Sequence, residues 1–139
     1  IGLIPSHPLL RPADILTTAT ASGRTTAFDV SITSPDNGAA GDDCCQARYE
    51  AKQTRYAPHI SELERHGIDY VPIVWTAFGR PHEAAVAAIR AMARKAARRR
   101  GHQDAKSIEA RAMHRISVEI WRRNAAMVRH CCDGEFNDT

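Results

Sequence analysis

Two β-prone runs separated by a long helix-capable segment restrict the fold of this 139-residue chain more than any other feature. Residues 25–33 and 68–75 are rich in Val, Ile, Thr and aromatic side chains, a composition typical of strands. Residues 39–67 between them are polar and end in Gly67, which suits a helix C-terminus, while Pro58 predicts a kink or a break. A strand, a helix and a strand in succession predict a parallel crossover.

The segments on either side of this unit predict a hairpin and two further helices. Residues 15–18 and 25–33 flank a turn-forming stretch, so we expect a β-hairpin whose first strand begins near Asp14. Residues 81–100 and 108–128 carry apolar side chains at helical spacing, and a glycine separates them. The expected core positions of the two helices are Val86, Ile89, Ala93, Ala97, Met113, Ile116, Ile120 and Met127.

The length and a hydrophobic content of 43% fit one domain of the α/β class. We expect an extended lead-in over residues 1–10, an α/β core over 11–80, a basic helical part of the same domain over 81–130 and a frayed tail over 131–139. Pro72 lies within an expected strand. It predicts that this strand lies at a sheet edge or carries a bulge, because proline donates no backbone hydrogen bond.

No stretch approaches the ~20 consecutive apolar residues of a membrane-spanning helix, so we expect a soluble protein without a membrane span. The four cysteines form two adjacent pairs, Cys44-Cys45 and Cys131-Cys132, and lack the CxxC spacing of a zinc site. We interpret them as reduced thiols of a reducing intracellular compartment. A zinc site shared with a histidine is the alternative. Because the first residue is Ile and not Met, we expect a fragment or a processed form.

The net charge of +3 is unevenly divided along the chain. Residues 1–79 hold 6 Lys/Arg and 9 Asp/Glu, whereas residues 80–130 hold 13 Lys/Arg and 4 Asp/Glu. The densest basic run is a candidate nucleic-acid-binding surface that would contact backbone phosphates. It consists of Arg94, Lys95, Arg98, Arg99 and Arg100. A solvated helix face or a surface for an acidic protein is an equally good interpretation. With 6% aromatic residues a stacking platform for single strands is not indicated, so duplex DNA is the expected nucleic acid.

Three residues in order along the chain have the chemistry of a metal-dependent site: Asp14, Asp29 and Lys52. An acid inside an apolar β-run, such as Asp29, is costly to place unless it binds a cation or faces solvent, and simple alternation would point it to solvent. Hydrolysis of a phosphodiester needs a cation that neutralises charge on the phosphate and lowers the pKa of water. Mg²⁺ takes one or two protein carboxylates for this purpose. A lysine beside them can hold or deprotonate the attacking water.

Further motifs surround these three residues. They are Arg11-Pro12, Asp14-Ile15, Phe28-Asp29-Val30-Ser31-Ile32, Lys52 with Tyr56, Gly67 with Tyr70 and Pro72-Ile73, and Phe78-Gly79. Over residues 11–80 this order resembles the PD-(D/E)xK superfamily of restriction-endonuclease-like nucleases, and in particular the endonuclease domains associated with reverse transcriptases of eukaryotic mobile elements. The resemblance implies a small restriction-endonuclease-like α/β core in which Asp14, Asp29 and Lys52 are catalytic. It also implies that Asp14 and Asp29 bind Mg²⁺ or Mn²⁺.

The chain departs from the family pattern at two positions. Ala13 separates Pro12 from Asp14, and Ser31 stands where the strand lysine usually lies. The resemblance then implies a lysine that has moved onto the following helix, where Lys52 is the natural candidate. An acid that the family places on a preceding helix would lie upstream of the first residue.

The resemblance implies a Mg²⁺-dependent DNA endonuclease-like domain in which Lys52 activates water. The alternative is a nuclease-like domain that has lost cleavage and serves as a nucleic-acid-binding or structural subunit of a larger assembly, with its basic helices as the docking surface. Tyr56, on the same helix face as Lys52, either packs against the sheet or orients the lysine. Replacing Asp29 by Asn should abolish cleavage and leave stability unchanged or raised, because it removes repulsion between two metal-binding acids.

Overall fold

The computed structural model describes residues 3–34, 43–101 and 104–135. The described chain has a mixed α/β fold, in which helices pack on a three-stranded sheet. The strands are β1 (Ile15–Thr17), β2 (Thr25–Thr33) and β3 (Ile68–Thr76), in the spatial order β1-β2-β3.

The pairing of the strands confirms both the hairpin and the crossover. β1 pairs antiparallel with β2, and β2 pairs in parallel with β3, with Asp29 opposite Pro72. β3 is an edge strand of the described sheet, as Pro72 predicted. Near the end of this strand Trp75 forms an isolated antiparallel bridge with Pro81.

The crossover between β2 and β3 contains three helical segments. They are α1 (Cys44–Tyr56), a 3₁₀ turn (Ala57–His59) and α2 (Ile60–Arg65). Pro58 lies in the 3₁₀ turn, so the predicted break is confirmed, because a proline ring removes a helical hydrogen bond. Asp43 caps α1 by accepting hydrogen bonds from two amides of its first turn, and Gly67, at a φ of 73°, follows α2 as expected. Residues 39–42 of the expected helix lie outside the described residues.

Alternation along β2 gives the sheet two different faces. Phe28 points to the face covered by α3 (Glu83–Arg100) and α4 (Ala105–Glu135), which we call the α3/α4 face. There it belongs to a buried cluster with Ile73, Trp75, Ala85, Ile89 and Ile120. Asp29 and Ser31 point to the opposite face, where they contact side chains of α1. We call this second side the α1 face.

The two C-terminal helices are present, and the second is longer than predicted. α3 ends at Arg100, before a glycine in the left-handed conformation. α4 continues to Glu135 and so includes part of the segment 131–139 that the sequence predicts to be frayed, since each added residue of a formed helix gains a backbone hydrogen bond. Residues 136–139 lie outside the described residues. None of the helices in the described part of the chain combines the length and the apolar content that a membrane crossing requires.

The predicted apolar stripes of these helices are confirmed only in part. Ile89, Ala93 and Ile120 are buried. The half-buried positions are Val86, Ala97, Met113 and Ile116. Met127 is 61% exposed, so its assignment to the core is wrong. It lies on the part of α4 over residues 125–130, where every side chain is exposed because the helix has passed the sheet and α3.

Ile120→Ala should lower the free energy of unfolding by about 2–5 kcal/mol, because it removes apolar contacts from a buried cluster and leaves a cavity. Met127→Ala, on the same helix, is the matched control and should change this free energy by less than about 0.5 kcal/mol. Urea denaturation followed by circular dichroism measures both. Equal effects of the two substitutions would contradict this position of the core.

Candidate active site

Asp29 lies in the middle of β2 and is the centre of a small polar cluster on the α1 face. Its Oδ1 accepts a hydrogen bond from Lys52 Nζ at 2.5 Å, and its Oδ2 accepts one from the Tyr70 hydroxyl at 2.8 Å. The side chains of Asp29 and Lys52 are only 12% and 11% exposed. The two donors offset the cost of burying the acid. The interpretation that alternation points Asp29 to solvent is therefore wrong.

Three elements bring these groups together. The parallel register puts Asp29 opposite Pro72, so Tyr70, two residues earlier, lies on the same face of the sheet. Lys52 lies in the second half of α1, and its long, flexible side chain reaches down to the strand. Burial raises the pKa of Tyr70. The hydrogen bond from Tyr70 to Asp29 and the negative charge of Asp29 raise this pKa further. The phenol is therefore a protonated donor at neutral pH.

Asp14 is bonded to the two residues that flank Asp29. Its backbone N–H donates to the carbonyl oxygen of Phe28 at 2.8 Å, and its Oδ2 accepts from the backbone N–H of Val30 at 2.8 Å. The residue is exposed. Burial raises the pKa of Tyr56, the charge of Arg55 lowers it, and the charges of Asp29 and Asp14 raise it. Because Asp14 is hydrogen-bonded to both residues that flank Asp29, the two predicted acids occupy one region of the structure.

Tyr56 packs against the sheet, which is one of the two roles predicted for it. It is buried, and its hydroxyl donates to the backbone oxygen of Arg11 at 3.2 Å. Its ring centroid lies 4.9 Å from that of Tyr70. Through these contacts Tyr56 also anchors the Arg11-Pro12 motif, whose proline is fully buried.

Sequence reasoning missed two contacts in this region, those of the Tyr70 hydroxyl and of Arg48. Arg48 lies four residues before Lys52 on α1, and its Nε donates to Ser31 Oγ at 2.9 Å. Ser31, in the middle of β2, accepts this hydrogen bond from a helix arginine. The four-residue spacing on one helix was a usable signal for Arg48. The role of the Tyr70 hydroxyl had no signal beyond the place of Tyr70 in the motif.

The basic run of α3 lies on the opposite face of the sheet from Asp29. α3 packs on the α3/α4 face with Phe28, and its last turns approach the β1–β2 turn, where Lys95 Nζ donates to the Thr18 oxygen at 2.5 Å. The exposed members of the run are Arg94, Arg98, Arg99 and Arg100. The run is accessible to a partner, but it shares no face with the candidate catalytic residues.

Asp14 and Asp29 offer the oxygen donors that a hard divalent cation requires. A carboxylate oxygen can accept two hydrogen bonds, so the oxygens of Asp29 retain capacity beside their two donors. Two carboxylates also match the number that Mg²⁺ takes from proteins. Within the described part of the chain, no group of three or more His, Cys, Asp or Glu is placed to hold a metal ion. Cys44 and Cys45 are buried free thiols.

The pairing of Asp29 changes the expected effect of removing its charge. The sequence-based expectation of unchanged or raised stability assumed repulsion between two acids. In the structure Asp29 neutralises Lys52, and its removal would leave a largely buried ammonium without a counter-charge. The ion pair therefore gives a different expectation for the metal-free protein, a loss of stability, and the two expectations are distinguished by the measurement below.

Asp29→Asn and Lys52→Met should each lower the free energy of unfolding by roughly 3 kcal/mol, because each leaves one member of a buried ion pair uncompensated. The double substitution should cost less than the sum of the two. Chemical denaturation of the four proteins in EDTA completes the cycle. Glu119→Gln, which breaks an exposed ion pair with Arg123, is the control and should have little effect. Additive costs at Asp29 and Lys52 would contradict their contact.

Comparisons of the chain with protein-family models, with curated proteins and with solved structures found no match. Any function assigned to Asp14, Asp29 and Lys52 therefore depends on their chemistry, their geometry and the motif resemblance.

Proposed function

We propose that this chain carries a metal-dependent phosphodiester-hydrolysing domain of the DNA endonuclease type, built on a restriction-endonuclease-like core. The main support is the 2.5 Å contact between a buried strand acid, Asp29, and a helix lysine, Lys52. A second acid, Asp14, is bonded to both chain neighbours of Asp29. The antiparallel pair followed by a helical crossover to a parallel strand also agrees with the core that the resemblance implies.

The four polar residues have distinct roles in this proposal. Asp14 and Asp29 would hold Mg²⁺ or Mn²⁺, which neutralises charge on the phosphate and lowers the pKa of an attacking water when bound. The Lys52 ammonium, kept beside the acids by Asp29, can donate to the attacking water or to a phosphate oxygen. Tyr70 fixes the orientation of the Asp29 carboxylate by donating to Oδ2.

One observation favours a second candidate function. Lys52 is largely buried and bonded to Asp29, an arrangement that also holds together a fold without catalysis. In that case the domain is an inactive nuclease-like unit that acts as a nucleic-acid-binding or structural subunit of a larger assembly. The basic run of α3, on the opposite face from Lys52, would then be its docking surface.

A supercoiled plasmid should be nicked by the protein in Mg²⁺ or Mn²⁺ and remain intact in EDTA. Lys52→Ala should lower the rate on saturating DNA by ~100-fold or more, since the contribution of the lysine is made mainly in the transition state. Asp14→Asn should lower it by a similar factor, because it removes one of the two proposed metal ligands. Lys106→Ala, which removes an exposed lysine of α4, is the matched control and should cleave like the wild type.

Three outcomes of this experiment would change the assignment. An unchanged rate for the Lys52→Ala protein would refute the proposed site. A folded wild-type protein that nicks DNA neither in Mg²⁺ nor in EDTA would favour the inactive nucleic-acid-binding subunit, and equal nicking in both would refute the metal dependence of the proposed site.

Replacing Arg94, Arg98 and Arg99 together by Gln should weaken duplex DNA binding. The slope of the logarithm of the binding constant against the logarithm of the salt concentration should become shallower by up to ~0.9 for each phosphate that is no longer neutralised. Because these residues lie on the opposite face from Lys52, the cleavage rate on saturating DNA should stay unchanged. The anisotropy of a labelled duplex over a series of salt concentrations gives the slope. An unchanged slope would exclude α3 as a DNA surface and point to a protein partner.

A further inference from the structure

Arg48 forms a second contact between α1 and β2, next to the contact made by Lys52. Arg48 and Lys52 lie one helical turn apart, and their partners, Ser31 and Asp29, are alternate residues of β2. One helical turn corresponds to a rise of ~5.4 Å, and two residues of a strand to about twice the ~3.3 Å rise per residue. The offset between Arg48 and Lys52 along α1 and the offset between Ser31 and Asp29 along β2 are therefore both about 6 Å. The two contacts therefore lie side by side on the α1 face.

The two contacts differ in charge and exposure. Lys52 and Asp29 form a largely buried ion pair, whereas Arg48 is an exposed residue that contacts a neutral hydroxyl. None of the ion pairs among the described residues includes Arg48. An arginine bound through Nε can still offer the donors of its terminal nitrogens to a second ligand. The charge of Arg48 is thus suited to an anion that approaches the α1 face.

We propose that Arg48, held by Ser31, is a phosphate-binding residue that contacts the phosphate next to the one that is cut. This inference rests on the function proposed for Asp29 and Lys52. The offset between the two contacts is close to the separation of neighbouring phosphates on one nucleic-acid strand. A guanidinium fixed at Nε presents a planar fork that matches phosphate oxygens. The contact with Ser31 also restricts the side chain before binding, which lowers the entropy that binding has to remove.

The face on which Arg48 lies separates its role from that of the basic run of α3. Because Arg48 and Lys52 lie one helical turn apart on α1, a nucleic-acid strand bound at Lys52 would have Arg48 beside it, whereas the basic run of α3 lies on the α3/α4 face. Arg48 should therefore influence the salt dependence of binding at the candidate active site, whatever the basic run contacts.

Binding of a fluorescein-labelled DNA duplex in EDTA, followed by anisotropy over a salt series, tests this proposal without cleavage. Arg48→Gln should weaken binding roughly tenfold and shallow the salt slope by ~0.9, the amount expected when one phosphate is no longer neutralised. Arg48→Lys should keep the slope and bind less tightly than the wild type, because an ammonium lacks the planar fork. Ser31→Ala should also weaken binding without a change of slope, because it frees the guanidinium and keeps its charge.

The matched control is Arg65→Gln, which removes an exposed arginine of α2 whose Nε bonds to the Ser61 oxygen of its own helix. It should bind DNA like the wild type. An unchanged slope for Arg48→Gln, in a protein that melts at the wild-type temperature, would overturn the proposal. An equal decrease of slope in the Arg65→Gln protein would overturn it too, because the effect would then be one of overall charge.

Plasmid nicking in Mg²⁺ separates failure of this inference from failure of the proposed function. Nicking by the wild type together with an unchanged slope for Arg48→Gln refutes the role of Arg48 alone. If instead the wild type does not nick DNA but Arg48→Gln has a reduced salt slope, the proposed hydrolysis is refuted. Arg48 then remains a phosphate-binding residue of a nucleic-acid-binding domain.

Discussion

The buried ion pair between Asp29 and Lys52 is the interaction on which the rest of the described structure depends. It joins the middle of the central strand to the crossover helix, and Tyr70 from β3 donates to the second carboxylate oxygen. One carboxylate therefore connects three elements. A buried charge is tolerated only where its partners are supplied, so the position of α1 along the sheet is restricted by electrostatics. Apolar burial of residues such as Phe28 and Trp75 on the other face supplies much of the driving force for folding.

The parts of the fold that follow from local signals could be predicted from the sequence. The hairpin, the crossover, the break at Pro58 and the two C-terminal helices depend on β-branched runs, on proline and glycine positions and on helical periodicity. Met127 could not be placed, because periodicity does not reveal where the neighbouring elements end. The environment of Asp29 could not be deduced either. Alternation assigns a side chain to one face, but whether a helix covers that face is decided by tertiary packing.

For the candidate site, too, the order of residues along the chain could be used for prediction, whereas the contacts between side chains could not. The sequence order of Asp14, Asp29 and Lys52 was sufficient to select residues that lie in one region. The donors around them, the Tyr70 hydroxyl and the Arg48 guanidinium, come from elements whose register is set only on folding. Four of the five residues in the basic run of α3 are exposed and Lys95 is half-buried, while the face on which the run lies follows from the packing of α3 against the sheet.

No further strand of the described residues pairs along the outer edge of β3, and this has a consequence for self-association. Pro72 lies in the middle of that strand and offers no N–H, and the bridge between Trp75 and Pro81 covers its far end. A strand from another molecule would find the hydrogen-bond ladder interrupted in the centre and obstructed at one end. The sheet is thereby protected against growth by strand addition along this side.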